Sequence, residues 1–218
     1  MKAFFFDLDG TLLDTLADIG RACNAILKKH GYPTHPLPQY RLFVGNGFGR
    51  LMADALPADA ALDAQAKALL VEEARQYYGL HMYDCTRPYD GVIAALEDLS
   101  AAGHPLAILS NKPDGLTVEI VERYFSVIPL SLVRGAKKDV PLKPQPHALL
   151  DMMQTMHTSA SQALYVGDSN IDILTARNAG VTSVGVSWGF RGAEELRKAG
   201  ADHIIDTPSQ LPTLAKEA

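Results

Sequence analysis

The chain has 218 residues, of which 47% are hydrophobic and 21% are charged. This length and composition predict a globular protein with one large domain, or one domain that carries a smaller insertion, and they exclude a disordered or fibrous chain. The 25 acidic residues outnumber the 20 lysines and arginines, and the resulting net charge of −5 disfavours a nucleic-acid partner.

The sequence also indicates the cellular compartment and the state of the cysteines. No apolar run approaches the ~18 to 20 residues of a membrane span, and the N-terminus lacks the apolar region of an export signal. We therefore expect a cytoplasmic protein with no membrane partner, as a monomer or a homodimer. Cys23 and Cys85 have neither the number nor the spacing of a disulfide framework or a zinc site, so free thiols are predicted.

Short apolar runs alternate with amphipathic stretches along most of the chain, which is typical of an α/β protein with a buried, mostly parallel sheet. The predicted strands are residues 2–6, 105–109, 130–133, 163–166, 182–186 and 203–205. The predicted helices are residues 89–102, 116–125, 146–156, 171–179 and 193–199. We therefore expect a Rossmann-like core in which right-handed crossovers connect the strands.

Residues 15–84 interrupt this alternation, because they show helical periodicity and no strand pattern over a stretch far longer than a crossover needs. We predict a small helical cap domain inserted after the first strand, with hinges near residues 15–18 and 85–88. Residues 1–14 and 85–218 then form the catalytic core. The insertion has seven acidic and seven basic residues, so the core carries the net negative charge.

The first strand is followed by two acids, Asp7 and Asp9, and then by Gly10. In an extended chain the two carboxylates point the same way, at the edge of the sheet where parallel α/β proteins bind ligands. A calcium loop of the EF-hand type is excluded, because its glycine is the sixth residue and Gly10 is the fourth. A plain turn remains the alternative for this motif taken alone.

Polar residues also lie at or near the ends of later elements. Ser110 and Asn111 follow the strand 105–109, Lys143 precedes two prolines, and Asp168 and Asp172 follow the strand 163–166. Taken alone, Ser110 and Asn111 are also typical of a turn or a helix cap, and Lys143 of a solvated lysine beside a helix start. Together, carboxylates from the first and fourth strands predict a Mg²⁺ site, and the lysine and the hydroxyl suit a phosphoryl group.

The order and spacing of these four motifs resemble those of the haloacid dehalogenase superfamily over nearly the whole chain. The resemblance implies a phosphatase in which Asp7 is the nucleophile that becomes an aspartyl-phosphate, and Asp9 is the general acid and base. It further implies that Asp7, the backbone carbonyl of Asp9, and Asp168 bind Mg²⁺; that Ser110, the amide of Asn111, and Lys143 hold the phosphoryl oxygens; and that Asp172 supports the lysine and the metal.

A glycine-rich segment at residues 43–52 lies inside the predicted cap. It is not a dinucleotide fingerprint, because Arg50 stands where the third glycine would be required. We interpret Asn46, Gly47 and Arg50 as contacts to the end of the substrate remote from the phosphoryl group; a helix-capping turn is the alternative. This segment and residues 186–190 and 199–203 resemble phosphoglycolate phosphatases, which implies 2-phosphoglycolate as substrate.

Other functions stay open at this point. Within the superfamily the alternatives are a sugar phosphomutase, another sugar-phosphate phosphatase and a pyrophosphatase. An alternative of a different class is a non-catalytic, receiver-like module that binds phosphate. Asp9 argues against this last class, because a general acid and base is needed for turnover and is superfluous for stable phosphorylation.

Overall fold

The structure is a computed structural model that describes residues 1–217. The strands are β1 (Ala3–Phe6), β2 (Leu13–Asp14), β3 (Arg87–Pro88), β4 (Leu106–Pro113), β5 (Leu130–Ala136), β6 (Ala163–Gly167), β7 (Thr182–Val186) and β8 (His203–Ile205). The helices are α1 (Leu16–Lys29), α2 (Tyr40–Phe43), α3 (Gly47–Ala55), α4 (Ala64–His81), α5 (Val92–Ala101), α6 (Asp114–Phe125), α7 (His147–Thr155), α8 (Asn170–Ala179), α9 (Gly192–Ala199) and α10 (Leu211–Glu217). Short 3₁₀ turns lie at Leu37–Gln39, Ala160–Gln162 and Pro208–Gln210.

The main sheet has six strands in the order β5-β4-β1-β6-β7-β8, and every pair of neighbours is parallel. After β1 the chain builds outward on one side through β4 and β5, and then on the other side through β6, β7 and β8. The order therefore reverses beside β1. Open parallel sheets bind ligands at such a switch point, beyond the carboxyl ends of the strands. The predicted α/β class and all six core strands are confirmed.

Alternating side chains of β1 pack into two different cores, as the period of two residues in a strand requires. Phe4 and Phe6 lie on the face that packs against α5, α6 and α10, whereas Phe5 lies on the face covered by α7 and α8. All three phenylalanines are fully buried. Helices on both faces of the sheet explain why its central strands are apolar throughout.

Helices α1 to α4 lie between β2 and β3, on the chain segment that follows β1. Strands β2 and β3 pair antiparallel, with Leu13 opposite Pro88 and Asp14 opposite Arg87. The two passages of the chain between the helices and the core therefore run side by side. Oδ2 of Asp18 adds three contacts across them, accepting hydrogen bonds from the amides of Cys85 and Thr86 at 2.9 and 2.8 Å and from the Thr86 hydroxyl at 2.9 Å.

Strand β4 extends further than the sequence pattern predicts. The apolar run ends at Leu109, but the strand continues through Ser110, Asn111 and Lys112 to Pro113, and its register with β5 shifts along this stretch. The strand continues without an apolar sequence because its buried polar side chains have partners: the Ser110 hydroxyl oxygen accepts from the amide of Lys112 at 3.2 Å, and the partners of Asn111 and Lys112 are described below. Among residues 1–217, none of the helices combines the length and the apolar character needed to cross a membrane.

Candidate active site

Asp7 and Asp9 leave the carboxyl end of β1 at the switch point of the sheet. The amide of Asp7 donates to the carbonyl of Val166 at 2.8 Å, which continues the β1–β6 ladder by one residue. The chain then turns at Gly10, whose φ is +90°, and a Cβ atom there would lie 2.5 Å from Oδ2 of Asp168. Only glycine combines this backbone conformation with so close an approach to a carboxylate.

Asp168 and Asp172 come from the end of β6 and the first turn of α8. Oδ2 of Asp168 accepts a hydrogen bond from the amide of Phe190 at 2.7 Å. Oδ2 of Asp172 accepts from the amide and the hydroxyl of Ser169 at 3.1 and 2.7 Å, which forms a capping box at the start of α8. Local helix chemistry thus fixes the orientation of Asp172, and its other oxygen faces the site.

Three carboxylates, those of Asp7, Asp168 and Asp172, share a small buried volume with one ammonium group. Each offers an oxygen within 4.8 Å of the other two. Nζ of Lys143 donates to Oδ1 of Asp7 at 2.7 Å and to Oδ1 of Asp172 at 2.8 Å. One positive charge against three acids leaves an excess of negative charge, so the cluster has the electrostatics of a cation site.

Burial and the neighbouring negative charges raise the pKa values of Asp7 and Asp168. Burial raises the pKa of Asp7 to about 7, and the charge of Asp172 adds to this effect while that of Lys143 opposes it. Burial, followed by the charges of Asp172 and Asp7, also holds the pKa of Asp168 well above its usual range. A bound dication would reverse this effect, because it favours the ionised form of each carboxylate.

Ser110 and Asn111 reach the same edge of the sheet from β4. Ser110 is buried and lines the cavity above Asp7. The side chain of Asn111 is committed to backbone groups: it donates to the carbonyl of Lys143 at 3.0 Å and accepts from the amide of Lys143 at 2.9 Å. Asn111 therefore positions Lys143, a task that the sequence motif did not indicate.

Asp9 is paired with a residue that the sequence analysis did not single out. Nζ of Lys112 contacts Oδ1 and Oδ2 of Asp9 at 2.8 and 3.1 Å and donates to the hydroxyl of Tyr78, on α4, at 2.8 Å. The charge of Asp9 raises the pKa of Lys112 against the opposing effect of burial, so this ammonium stays charged. The two-residue spacing between Ser110 and Lys112 is the sequence feature that could have indicated Lys112, because residues 110 and 112 lie on the same face of an extended strand.

A cavity with about 400 Å³ of empty volume, open solvent included, lies between the sheet edge and the helical insertion. Asp7, Asp9, Ser110, Asn111 and Lys112 line it from the core, and Ile19, Val44, Gly45, Gly47, Phe48 and Leu51 line it from the insertion. Gly47 thus lines the cavity, and its contact with a substrate stays a prediction. Asn46 is half-buried at the start of α3 and lies outside this lining.

Arg50 does not reach the cavity. Its side chain is 66% exposed, and its Nε contacts the carboxylate of Asp54, one helical turn further on α3, at 2.9 Å. Phe48 and Leu51 occupy the buried face of the same helix, so the helical period directs position 50 towards solvent. The structure therefore provides no basis for the predicted contact between Arg50 and a substrate.

We expect Arg50→Ala to change kcat/KM by less than about twofold on any phosphate ester, because an exposed i,i+4 ion pair contributes little to structure and nothing to the cavity. Steady-state kinetics on an ester with a carboxylate and on one without would check this, with Asp54→Ala as the matched control. A loss of tenfold or more that is confined to the carboxylate ester would show that Arg50 reaches the substrate after all.

Two core side chains bind the backbone of residues 42–45, which are the end of α2 and the turn that follows it and are called the 42–45 loop below. The guanidinium Nη2 of Arg191 donates to the carbonyls of Leu42 and Val44 at 2.9 and 3.2 Å. Nδ2 of Asn111 donates to the carbonyl of Gly45 at 2.9 Å. Sequence reasoning missed Arg191, since a contact with main-chain carbonyls leaves no pattern in the side chains of the loop.

Comparison with known proteins agrees with this geometry. Residues 4–186 match the family of haloacid dehalogenase-like hydrolases. The chain is 33% identical over 215 residues to a phosphoglycolate phosphatase of Vibrio parahaemolyticus, an alignment that covers 97% of this chain and 94% of that protein. It is 36% identical over 211 residues to a phosphoglycolate phosphatase of Xanthomonas campestris, covering 96% and 94%.

Solved structures show the same fold. A haloacid dehalogenase-like family hydrolase from Streptococcus pneumoniae superimposes with a TM-score of 0.85 at 26% identity, covering 100% of this chain and 99% of that one. A protein from Lactobacillus delbrueckii subsp. bulgaricus superimposes with a TM-score of 0.90 at 29% identity and covers 99% of both chains. The chain therefore belongs to the haloacid dehalogenase-like hydrolases.

Proposed function

We propose that this protein is a Mg²⁺-dependent phosphatase that hydrolyses 2-phosphoglycolate to glycolate and phosphate through an aspartyl-phosphate on Asp7. The observation that carries the proposal is the position of Asp7, which lines the cavity together with Ser110 and Asp9. Lys143 contacts the same carboxylate at 2.7 Å. The names of the relatives from Vibrio and Xanthomonas support the choice of substrate.

The donor set fits Mg²⁺. Asp7, Asp168 and Asp172 offer hard carboxylate oxygens within 4.8 Å of one another, and one lysine balances only part of their charge. Mg²⁺ prefers a few carboxylates together with water and phosphate oxygens. We assign the ligands to Asp7, Asp168 and the backbone carbonyl of Asp9, with Asp172 holding Lys143. Bound there, the ion would neutralise the negative oxygens of the phosphoryl group.

The protein's own residues then perform two displacements. In the first, a carboxylate oxygen of Asp7 bonds to phosphorus and the ester P–O bond breaks, while Asp9 gives its proton to the leaving oxygen of glycolate. In the second, water attacks phosphorus and the P–O bond to Asp7 breaks, while Asp9 takes a proton from that water; phosphate leaves, Asp7 is restored, and Asp9 again carries the proton that it gives in the next turnover. Lys143, fixed by Asp172 and Asn111, and the hydroxyl of Ser110 hold the phosphoryl oxygens.

We propose further that residues 15–84 act as a cap that closes over the core, with β2 and β3 as its two connections. The cap supplies Val44, Phe48 and Leu51 as apolar walls of the cavity. Apolar walls exclude bulk water, which strengthens the interactions of the charged groups below them. The cap would thus protect the aspartyl-phosphate until Asp9 directs a single water to it.

The test of this function is a screen for phosphate release from a panel of small esters, with Mg²⁺ present and after removal of metal with EDTA. We expect 2-phosphoglycolate to give the highest kcat/KM, and activity to vanish without metal and return with Mg²⁺. Sugar monophosphates and pyrophosphate in the same panel represent the alternative substrates. Full activity of the metal-free protein would contradict the assignment of the cation site.

Binding of Mg²⁺ is expected to become stronger as the pH rises from 5 to 8. In the metal-free protein burial raises the pKa of Asp7 to about 7, so at pH 5 this carboxyl holds a proton that an incoming cation must displace. At pH 8, above that pKa, most Asp7 carboxyls have already lost this proton. The rise in Tm caused by a fixed concentration of MgCl₂ should therefore be larger at pH 8 than at pH 5.

Differential scanning calorimetry would measure the rise in Tm at the two pH values, with NaCl at equal ionic strength as the control for screening. Asp168→Asn removes one proposed ligand and should abolish most of the Mg²⁺-dependent rise at pH 8. A rise that is equal at both pH values, or that survives Asp168→Asn unchanged, would argue that the ion binds elsewhere.

A further inference from the structure

The cavity is lined by charged groups of both signs, but they are not evenly distributed. Among its lining residues in the described part of the chain, Asp7 and Asp9 are acidic and Lys112 is the one basic residue. Lys143 faces the carboxylate cluster instead, where it contacts Asp7 and Asp172. A substrate group that is remote from the phosphoryl group therefore meets a single positive charge in this cavity, that of Lys112.

Lys112 lies at a distance from the phosphoryl site because it is two residues further along β4 than Ser110. Ser110 and Lys112 lie two residues apart on β4, a rise of roughly 6 to 7 Å. This separation is of the order of the length of a two-carbon phosphate ester. Tyr78 on α4 meets the ammonium from the insertion side, so Lys112 lies where the core and the insertion close on each other.

The ammonium can accept a new partner without losing its old ones. It makes three contacts, and two of them go to the two oxygens of the same carboxylate, that of Asp9. Giving up one of these two contacts leaves Asp9 and Tyr78 still bonded and turns one N–H towards the cavity. The side chain of Lys112 is only 1% exposed, so this N–H would act in a poorly solvated site where charge interactions are strong.

We propose that Lys112 is the residue that receives a substrate carboxylate, so that the protein selects short phosphate esters with an anionic group at the end remote from the phosphoryl group. This inference rests on the proposed phosphatase function and names the residue that determines its specificity. A neutral ester of the same size would leave the turned N–H without a partner. A cationic ester would be repelled, because the apolar walls of Ile19, Phe48 and Leu51 offer no screening water.

The experiment compares three esters of matched size that differ in the charge of their remote group: 2-phosphoglycolate, 2-hydroxyethyl phosphate and phosphoethanolamine. For the wild-type protein with Mg²⁺, kcat/KM should fall in that order. In Lys112→Met the ratio of kcat/KM for 2-phosphoglycolate to that for 2-hydroxyethyl phosphate should fall by about 10- to 150-fold, the usual effect of losing a hydrogen bond to a charged group. Lys112→Arg keeps the charge and should keep most of the ratio.

The ratio of the two kcat/KM values distinguishes recognition of the substrate carboxylate by Lys112 from a role of Lys112 as the counter-ion of Asp9. If Lys112 served only as the counter-ion of Asp9, Lys112→Met would slow all three esters by the same factor and leave the ratio unchanged. That result would overturn the inference, while hydrolysis of 2-phosphoglycolate by the wild-type protein would leave the proposed function standing. A wild-type protein that hydrolyses none of the esters would overturn both.

A measurement on the wild-type protein covers the case in which Lys112→Met fails to fold. 3-Phosphonopropionate replaces the ester oxygen of 2-phosphoglycolate with a methylene group and cannot be hydrolysed, and propylphosphonate lacks its carboxylate. We expect 3-phosphonopropionate to inhibit at least about tenfold more tightly. Equal inhibition by the two phosphonates would overturn the inference without any variant.

Discussion

Asp7→Asn is expected to abolish phosphate release while leaving the fold intact. A carboxamide oxygen does not attack phosphorus, so neither the aspartyl-phosphate nor its hydrolysis can follow. The variant also loses one proposed metal ligand, although Asp172 still holds Lys143 at 2.8 Å. Release of more than about a tenth of the wild-type rate would contradict the assignment of Asp7 as the nucleophile.

Two further measurements keep this result interpretable. In metal-free buffer at pH 8 the Tm of Asp7→Asn should not fall, because burial raises the pKa of Asp7 from 3.8 to about 7, so that ionisation of this carboxyl lowers stability progressively between these values and in full at pH 8. Asp98→Asn provides the matched control, since this aspartate is exposed on α5. It should retain full activity, and intact-protein mass spectrometry should detect a phosphoryl adduct in wild-type protein but not in Asp7→Asn.

Asp9→Asn is expected to lower kcat by roughly 10²- to 10⁴-fold, the usual contribution of a general acid and base. The amide has the shape of the carboxylate and can still accept a hydrogen bond from Lys112, which contacts Asp9 at 2.8 Å in the wild-type protein. It cannot protonate the leaving oxygen or take a proton from water. The missing proton transfer accounts for this loss in kcat, while loss of the counter-ion of the buried Lys112 should appear separately as a lower Tm.

The choice of substrate tests this assignment of Asp9. The first displacement should suffer less with p-nitrophenyl phosphate, whose leaving group needs no proton, than with 2-phosphoglycolate. The second displacement still needs the base, so the aspartyl-phosphate should accumulate in Asp9→Asn and be visible by mass spectrometry after a rapid quench. Near-normal hydrolysis of 2-phosphoglycolate by this variant would contradict the assignment.

The core of the site follows from the sequence because two strong regularities coincide there. Continuous apolar runs identify buried parallel strands, and polar residues at their carboxyl ends meet at one edge of the sheet. The amino-acid sequence alone therefore suffices to place Asp7, Asp168 and Ser110 together. The short pair β2 and β3 escaped prediction, because strands of two residues carry no periodicity.

The residues of the cavity wall could be predicted from the sequence less well than those of the core. The glycine-rich segment predicts a substrate contact for Arg50, but which face of a short helix meets the cavity depends on how the helix packs, and Phe48 and Leu51 take that face. Lys112 by itself gives no such signal in the sequence, because a lysine shortly after an apolar run is typical of a solvated residue. Its burial depends on two partners distant in sequence, Asp9 and Tyr78, and no local pattern announces them.

The 42–45 loop is attached to the core through its carbonyl oxygens, so the attachment of the cap does not depend on the side chains that select the substrate. Arg191 and Asn111 hold Leu42, Val44 and Gly45 by main-chain atoms that every amino acid possesses. Exchange of a side chain in this loop would therefore reshape the wall while the attachment stays as it was. Position 44 in this loop is consequently suited to redesign: a library there, combined with positions 48 and 51 of α3 on the same cavity wall, can seek new substrates, provided that Arg191 and Asn111 are retained.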